Sequence, residues 1–337
     1  MTKIDIVSGF LGAGKTTLIQ KLLKEALHDT KVVLIENEFG EIGIDGGFLK
    51  ESGVEMKEMN SGCICCSLVG DFGASLQEVL STYAPERILI EPSGVGKLSD
   101  VIRAVQNVKT DAEVSLSSAV VVVDASKCKM YAKNFGEFFL NQIENAGLII
   151  LSRTGAISEE KTAKAVEIIR EHNQKAQIIT TPWEEITGMQ ILKAMEEKND
   201  WMEELLSEIK EAHEHHHHGE DEHEHHHHGE GCTCGCHEHD HHHHHADEVF
   251  TSWGKESAAS YTREEIRECL EALEDDKTYG MILRAKGMLP DGRGGWTYFD
   301  YVPGETDIRS GAAELTGKIC VIGSGLKEDK LQELFYK

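Results

Sequence analysis

Positive charge is what this chain has least of. Its 337 residues carry 34 Lys and Arg against 59 Asp and Glu, a formal net charge of −25 with His neutral. Binding to a nucleic acid needs a basic face that neutralises phosphates, so no nucleic-acid partner is expected. The acidity favours solubility and concentrates cations near the surface. Long apolar runs are also missing: no stretch has the length a bilayer-crossing helix needs, so no membrane partner is expected. The chain opens on a strand-like segment instead of a basic and apolar leader, so the expectation is no signal peptide and a cytoplasmic location. There the nine cysteines stay reduced, which favours metal ligation or redox chemistry over a disulfide scaffold.

What is present centres on Gly9-Phe10-Leu11-Gly12-Ala13-Gly14-Lys15-Thr16, the pattern G-x-x-x-x-G-K-[ST]. Ile4 to Val7 before it reads as a short buried strand, and Thr17 to Leu23 after it as an amphipathic helix. Glycines let the backbone bend so that its N–H groups face a phosphate, and the helix N-terminus adds partial positive charge there. The nucleotide-binding set is Gly9, Gly12, Ala13, Gly14, Lys15, Thr16 and Thr17. Lys15 is expected to reach the β- and γ-phosphates and the Thr16 hydroxyl to ligate Mg²⁺.

Further strands alternate with helices: apolar segments at 31–36, 87–91, 119–124, 147–152 and 177–180, and an alternating one at 54–59, are the expected strands. Short, uniformly apolar strands between helices predict an α/β fold, a P-loop NTPase domain with a mostly parallel sheet covered on both faces. A single longer helix is expected over 187–211. The domain boundaries are set at 1–212 for this domain, 213–248 for a His- and Cys-rich disordered connector, and 249–337 for a small α+β domain. In the last, Thr262 to Glu265 is a capping box that opens a helix. Segments 281–289 and 296–302 read as a hairpin around Asp291-Gly292-Arg293-Gly294, followed by a strand at 318–322 and a helix at 328–335.

Four groups of residues carry chemistry. Ile88-Leu89-Ile90-Glu91 followed by Pro92-Ser93-Gly94 is an apolar strand ending in an acid, with a glycine three residues on. In that context Glu91 is expected in the Mg²⁺ shell and the Gly94 N–H is placed to sense a γ-phosphate. The segment Glu36 to Asp45 follows the second strand and so lies at the carboxyl edge of the sheet, where ligands bind. Its acids can meet Mg²⁺, water or another metal, and a solvated acidic loop is the plain alternative. Cys63, Cys65 and Cys66 supply three thiols within four residues, three of the four positions of a tetrahedral zinc site. Buried small side chains or a redox pair are the alternatives there.

The fourth group is the tract His213 to His245, in which His-Glu-His-His-His-His-Gly-Glu occurs twice. It cannot bury enough apolar area to fold. Its imidazoles, among them His215, His216, His225 and His226, and the thiols of Cys232, Cys234 and Cys236 can bind Zn²⁺, Co²⁺ or Ni²⁺ with little selectivity. A purification tag would sit at a terminus as a plain run, whereas this tract is internal, duplicated and interleaved with acids.

Together Gly9 to Thr17, Glu36-Asn37-Glu38-Phe39-Gly40-Glu41, Cys63 to Cys66 and Glu91 to Gly94 resemble, in order, the CobW-like family of P-loop GTPases. Leu283-Arg284-Ala285-Lys286-Gly287 in the C-terminal part is similar to the same family. The resemblance implies GTP hydrolysis to GDP with Mg²⁺, coupled to delivery of zinc, or cobalt, to client proteins or a cobalamin pathway. It implies metal ligation by Cys63, Cys65 and Cys66 with Glu36 or Glu41 as an added ligand, and a role for Glu38 in orienting water or Mg²⁺. Client metalloproteins are expected to dock on the C-terminal domain, and nucleotide-dependent self-association is left open. One departure stands out. The family's guanine-reading Asn-Lys-x-Asp is replaced by Ser152-Arg153-Thr154-Gly155, without the aspartate. The competing expectation is a metal store with a regulatory or vestigial nucleotide site.

Overall fold

The computed structural model describes residues 1–37, 55–59, 69–108, 110, 112–197, 249–257, 259–311 and 316–336. In the first part, strands β1 (Thr2–Gly9), β2 (Val32–Asn37), β3 (Glu55–Met59), β4 (Arg87–Glu91), β5 (Val114–Asp124), β6 (Leu148–Ser152) and β7 (Gln177–Ile179) form one sheet. Its order is β3-β2-β4-β1-β5-β6-β7, and every pairing is parallel. The helices are α1 (Lys15–Glu25), α2 (Val69–Tyr83), α3 (Leu98–Gln106), α4 (Cys128–Asn134), α5 (Gly136–Glu144), α6 (Glu159–His172) and α7 (Gly188–Glu196).

The near-continuous apolar strands divide by parity between two cores. Val7, Leu34, Leu89, Val120, Val122 and Ile150 face α1 and α7, where Leu18, Ile19, Leu22 and Ile191 meet them. Ile6, Ile35, Ile90, Val121, Val123 and Leu151 face the other way, onto Leu76, Ile102, Phe139 and Ile169. This two-sided burial explains why alternation is absent from the sequence of these strands.

Helix α7 begins as the sequence requires, with Thr187 and Gln190 forming a reciprocal capping box. It does not run on through 211 as one helix: it ends at Glu196, and Glu197 is extended (φ −61°, ψ 116°). Glu196 is anchored there by Lys3, whose Nζ donates to it at 2.7 Å, and by Arg87. Burial acts to raise the Glu196 carboxyl, but the hydrogen bonds from Lys3 and Arg87 outweigh it and hold the group below the usual carboxylate range. Residues 198–248, with the rest of the expected helix and the His-rich tract, lie outside the described residues.

The second sheet is antiparallel, in the order β11-β10-β9-β12-β8. Its strands are β8 (Thr251–Ser257), β9 (Met281–Pro290), β10 (Trp296–Val302), β11 (Glu305–Gly311) and β12 (Gly317–Ser324). Helices α8 (Arg263–Ala272), α9 (Asp276–Tyr279) and α10 (Glu328–Leu334) accompany them. The β9–β10 hairpin closes where the sequence places it: Asp291 Oδ1 accepts from the N–H groups of Arg293 and Gly295 at 2.7 and 2.8 Å. Thr262 and Glu265 form the capping box of α8. Strands β8 and β11 are additions that the sequence pattern does not announce.

One face of this sheet, with Ala285, Phe299, Tyr301, Ile319 and Val321, packs on Ile266, Leu270 and Leu331 of the helices. The opposite face contributes Met288, Tyr298, Cys320 and Ile322 to the core of the first domain. Phe250, immediately before β8, completes that junction. Its ring lies 6.0 Å from Phe10 of the glycine-rich loop, 5.3 Å from Phe135 and 5.1 Å from Phe138. Among the described residues, no helix is long and apolar enough to cross a membrane.

Candidate functional site

Parallel pairing sets the carboxyl ends of the strands side by side. Glu36 lies opposite Glu91 in register, Asp124 opposite Ser152, and Gly9 opposite Val122. The glycine-rich loop leaves β1 at this edge and enters α1 at Lys15. Its glycines have physical reasons to be glycine. Gly9, Gly12 and Gly14 have φ values of 145°, 69° and 107°, and a Cβ at Gly9 would stand 2.4 Å from the Val122 carbonyl oxygen. The Ala13 N–H donates to Phe10 O at 3.1 Å, closing the loop on itself.

Lys15 is 5% exposed and its Nζ stands 4.0 Å from Glu91 Oε1. The Thr16 hydroxyl lies 3.2 and 3.3 Å from the two oxygens of the same carboxylate. A hydroxyl and a carboxylate converging at the first turn of a helix are hard oxygen donors, the set Mg²⁺ prefers. Gly94 sits against the loop, since a Cβ there would be 2.9 Å from Leu11 N. The segment is held from behind by Gln142, whose Nε2 donates to Gly94 O at 3.2 Å and Gly96 O at 2.9 Å. Glu36 is buried at the same edge.

Gly12, Gly14, Lys15, Thr16, Thr17 and Glu91 line a cavity of about 400 Å³. Its opposite wall is one that sequence reasoning missed. Arg284, Asp300, Tyr301 and Val302 of β9 and β10, and Glu305, Asp307 and Arg309 of β11, form it. Arg153 joins the two walls. It adopts a left-handed conformation (φ 60°), donates to Gly12 O at 3.0 Å, stands 3.3 Å from Asp124 and pairs with Glu305. The Arg153–Glu305 pair spans 152 positions of chain, so no local pattern could have signalled it.

The segment that replaces the guanine-reading motif lies beside the loop. Trp183 donates through Nε1 to Leu151 O at 2.9 Å, and its ring would stand 3.3 Å from a Cβ on Gly14. The buried hydroxyls of Ser152 and Thr154 have no hydrogen-bond partner among the described residues. A Cβ on Gly155, the position at which the resemblance implies an aspartate, would meet Pro182.

Of the metal ligands proposed from sequence, Thr16 and Glu36 are at this edge. Glu38, Glu41, Cys63, Cys65, Cys66, Cys232, Cys234, Cys236, His215, His216, His225 and His226 all lie outside the described residues. Among the described residues no cluster of three or more His, Cys, Asp or Glu side chains is arranged to hold a metal. Of the described thiols, Cys128 is buried, and desolvation, with Asp124 adding to it, pushes its pKa up to about 12. It stays protonated at neutral pH.

Curated relatives match about half of this chain. The zinc chaperone YeiR of Escherichia coli is 31% identical over 160 residues, 48% of this chain and 49% of that protein. The zinc chaperone CobW of Sinorhizobium sp. is 32% identical over 180 residues, 45% of this chain and 51% of the other. The chain thus spans about half the length of the curated relatives it matches. Among solved structures, the Zn(II)-bound YjiA GTPase from Escherichia coli aligns over 99% of this chain and 98% of its own, at 20% identity and a TM-score of 0.45. The family description "CobW/HypB/UreG, nucleotide-binding domain" matches residues 3–180. That span holds the glycine-rich loop, Glu91 and the whole parallel sheet, and the chain belongs to this family.

Proposed function

We propose that the chain is a P-loop GTPase that binds zinc and hands it to client metalloproteins. The observation that carries the nucleotide half is the convergence of the positive-φ Gly12 and Gly14, Lys15 and the Thr16–Glu91 pair on one cavity. In this reading Lys15 and the loop N–H groups bind the β- and γ-phosphates. Thr16 and Glu91 would hold Mg²⁺, which when bound neutralises charge on the phosphate oxygens. Gly94, packed on Leu11, places its N–H to sense the γ-phosphate, and Glu38 orients water. The water oxygen bonds to the γ-phosphorus as the bond to the β–γ bridging oxygen breaks. Nucleoside diphosphate and phosphate leave, and one proton is released.

The metal half rests on the Cys63, Cys65 and Cys66 trio, with Glu36 or Glu41 completing it. Relatives bearing the names zinc chaperone and zinc-regulated GTPase metalloprotein activator support it. The His-rich tract gathers the metal, with Co²⁺ and Ni²⁺ as competitors. The C-terminal domain reserves its helical side for a client, because the other sheet face packs on the nucleotide domain.

The test is turnover of GTP and ATP by the metal-analysed chain and by Lys15→Ala. GTP is expected to be preferred, by a margin reduced about ten- to a hundred-fold through loss of the charged acceptor at position 155. Lys15→Ala should abolish turnover and leave zinc content intact. Unchanged turnover in that variant would remove the assignment, and equal turnover of ATP would remove the word GTPase.

A further inference from the structure

The C-terminal sheet changes character across its inner face. Met288, Tyr298, Cys320 and Ile322 are buried against the nucleotide domain. Where the same face reaches the glycine-rich loop, it carries Arg284 on β9, Asp300 on β10 and Arg309 on β11 instead. Asp300 stands on the middle strand and holds both arginines. Arg284 Nη2 lies 3.6 Å from its Oδ1, and Arg309 Nη2 donates to its Oδ2 at 2.9 Å. Arg309 also pairs with Asp307. The arginine side chains are only 21% and 32% exposed. Both line the cavity that Lys15, Thr16 and Glu91 line from the other side.

We propose that Arg284 and Arg309 contact the phosphate end of the bound nucleotide and stabilise the charge that develops during hydrolysis, with Asp300 positioning both. The proposal rests on the hydrolase reading above and adds a second source of positive charge, in the same chain, opposite Lys15. Guanidinium groups suit the task because their planar fork matches phosphate oxygens and keeps its charge at any physiological pH. Neighbouring strands of one sheet fix their spacing before the nucleotide arrives, so little reorganisation accompanies the reaction. The carboxylates of Asp300 and Asp307 neutralise the pair until phosphate oxygens compete for it. This arrangement makes the C-terminal domain part of the nucleotide site as well as a candidate docking surface.

The experiment uses the full chain with Mg²⁺. GTP turnover, GDP affinity, and affinity for GDP with aluminium fluoride are measured for wild type, Arg284→Ala, Arg309→Ala and Asp300→Asn, alongside melting temperature. Each arginine variant should lose kcat by about a hundred-fold or more and lose tight binding of GDP–aluminium fluoride, with GDP affinity changed far less. Asp300→Asn should show a smaller loss of kcat, and Arg309→Lys should recover part of what Arg309→Ala loses. Wild-type kcat in both alanine variants would overturn the proposal. So would parallel losses of GDP binding, GDP–aluminium fluoride binding and melting temperature, which would mark the pair as an interdomain strut. A wild-type chain that turns over no nucleotide above a protein-free control would instead overturn hydrolysis itself.

Discussion

Val302 of the C-terminal sheet rests directly on Gly12 of the glycine-rich loop: a Cβ built on Gly12 would stand 2.3 Å from Val302 Cγ1. The loop turn that faces the phosphates is therefore also a contact between domains. Gly12→Ala meets two obstacles, the left-handed φ of 69° and the Val302 methyl. The strained backbone alone costs on the order of 1–3 kcal/mol. Val302→Ala removes the clash but not the φ strain. Denaturant midpoints of the two single variants and the double variant should be non-additive, the double less destabilised than the sum. Simple additivity would mean that the contact is not made.

Glu91→Gln keeps the size of the side chain and removes the charge facing Lys15 and Thr16. Turnover should fall by about 10²- to 10³-fold, the scale of losing one electrostatic partner in a phosphoryl-transfer site. The Mg²⁺ concentration for half-maximal rate should rise in the same variant. A Mg²⁺ dependence identical to wild type would detach Glu91 from the metal.

Much of this site was legible because its chemistry is local. Gly9 to Thr16 and Glu91 to Gly94 are contiguous motifs whose strand, loop and helix context the sequence also supplies. The strands flanking them were readable for the same reason, being buried on both faces and uniformly apolar. Strands β8 and β11 escaped because Thr251–Ser257 and Glu305–Gly311 are edge strands with polar or charged residues at most positions. The opposite wall of the cavity escaped for another reason. Arg284, Asp300 and Arg309 acquire meaning only when the sheet lies over the loop, and that docking rests on distant contacts such as Phe250 with Phe10.

Acid should loosen the contact between α1 and α7. Glu25 on α1 accepts from the Gly188 N–H at 2.7 Å and from Lys21 at 2.9 Å. The Gly188 hydrogen bond first, then Lys21, holds its carboxyl below the ordinary value of 4.5. Because the folded pKa is the lower one, the unfolded chain takes up the proton first as pH falls. The carboxylate's contribution is thus present above the unfolded pKa and lost as pH drops through the folded one. Urea midpoints of wild type and Glu25→Gln should differ most at neutral pH and converge as pH falls through the lowered titration of the folded carboxyl. A difference independent of pH would show that the charge is not what matters.

Coupling between nucleotide and metal is the centre of this account. If Glu36, at the end of β2, or Glu41 beyond it completes the cysteine site, one stretch of chain serves both functions, and a nucleotide-dependent change in that ligand changes zinc affinity. Gain or loss of one ligand corresponds to about ten- to a hundred-fold. Reciprocity then requires zinc to change nucleotide affinity by the same factor. The direct measurement is a zinc titration of the chain lacking residues 213–245, so that the His-rich tract does not mask the tight site. It is made nucleotide-free, with GDP, and with a non-hydrolysable GTP analogue. The account predicts one tight zinc site whose affinity differs about ten-fold or more between the GDP and GTP-analogue states. Three identical affinities would contradict it and leave hydrolysis and metal binding as separate activities.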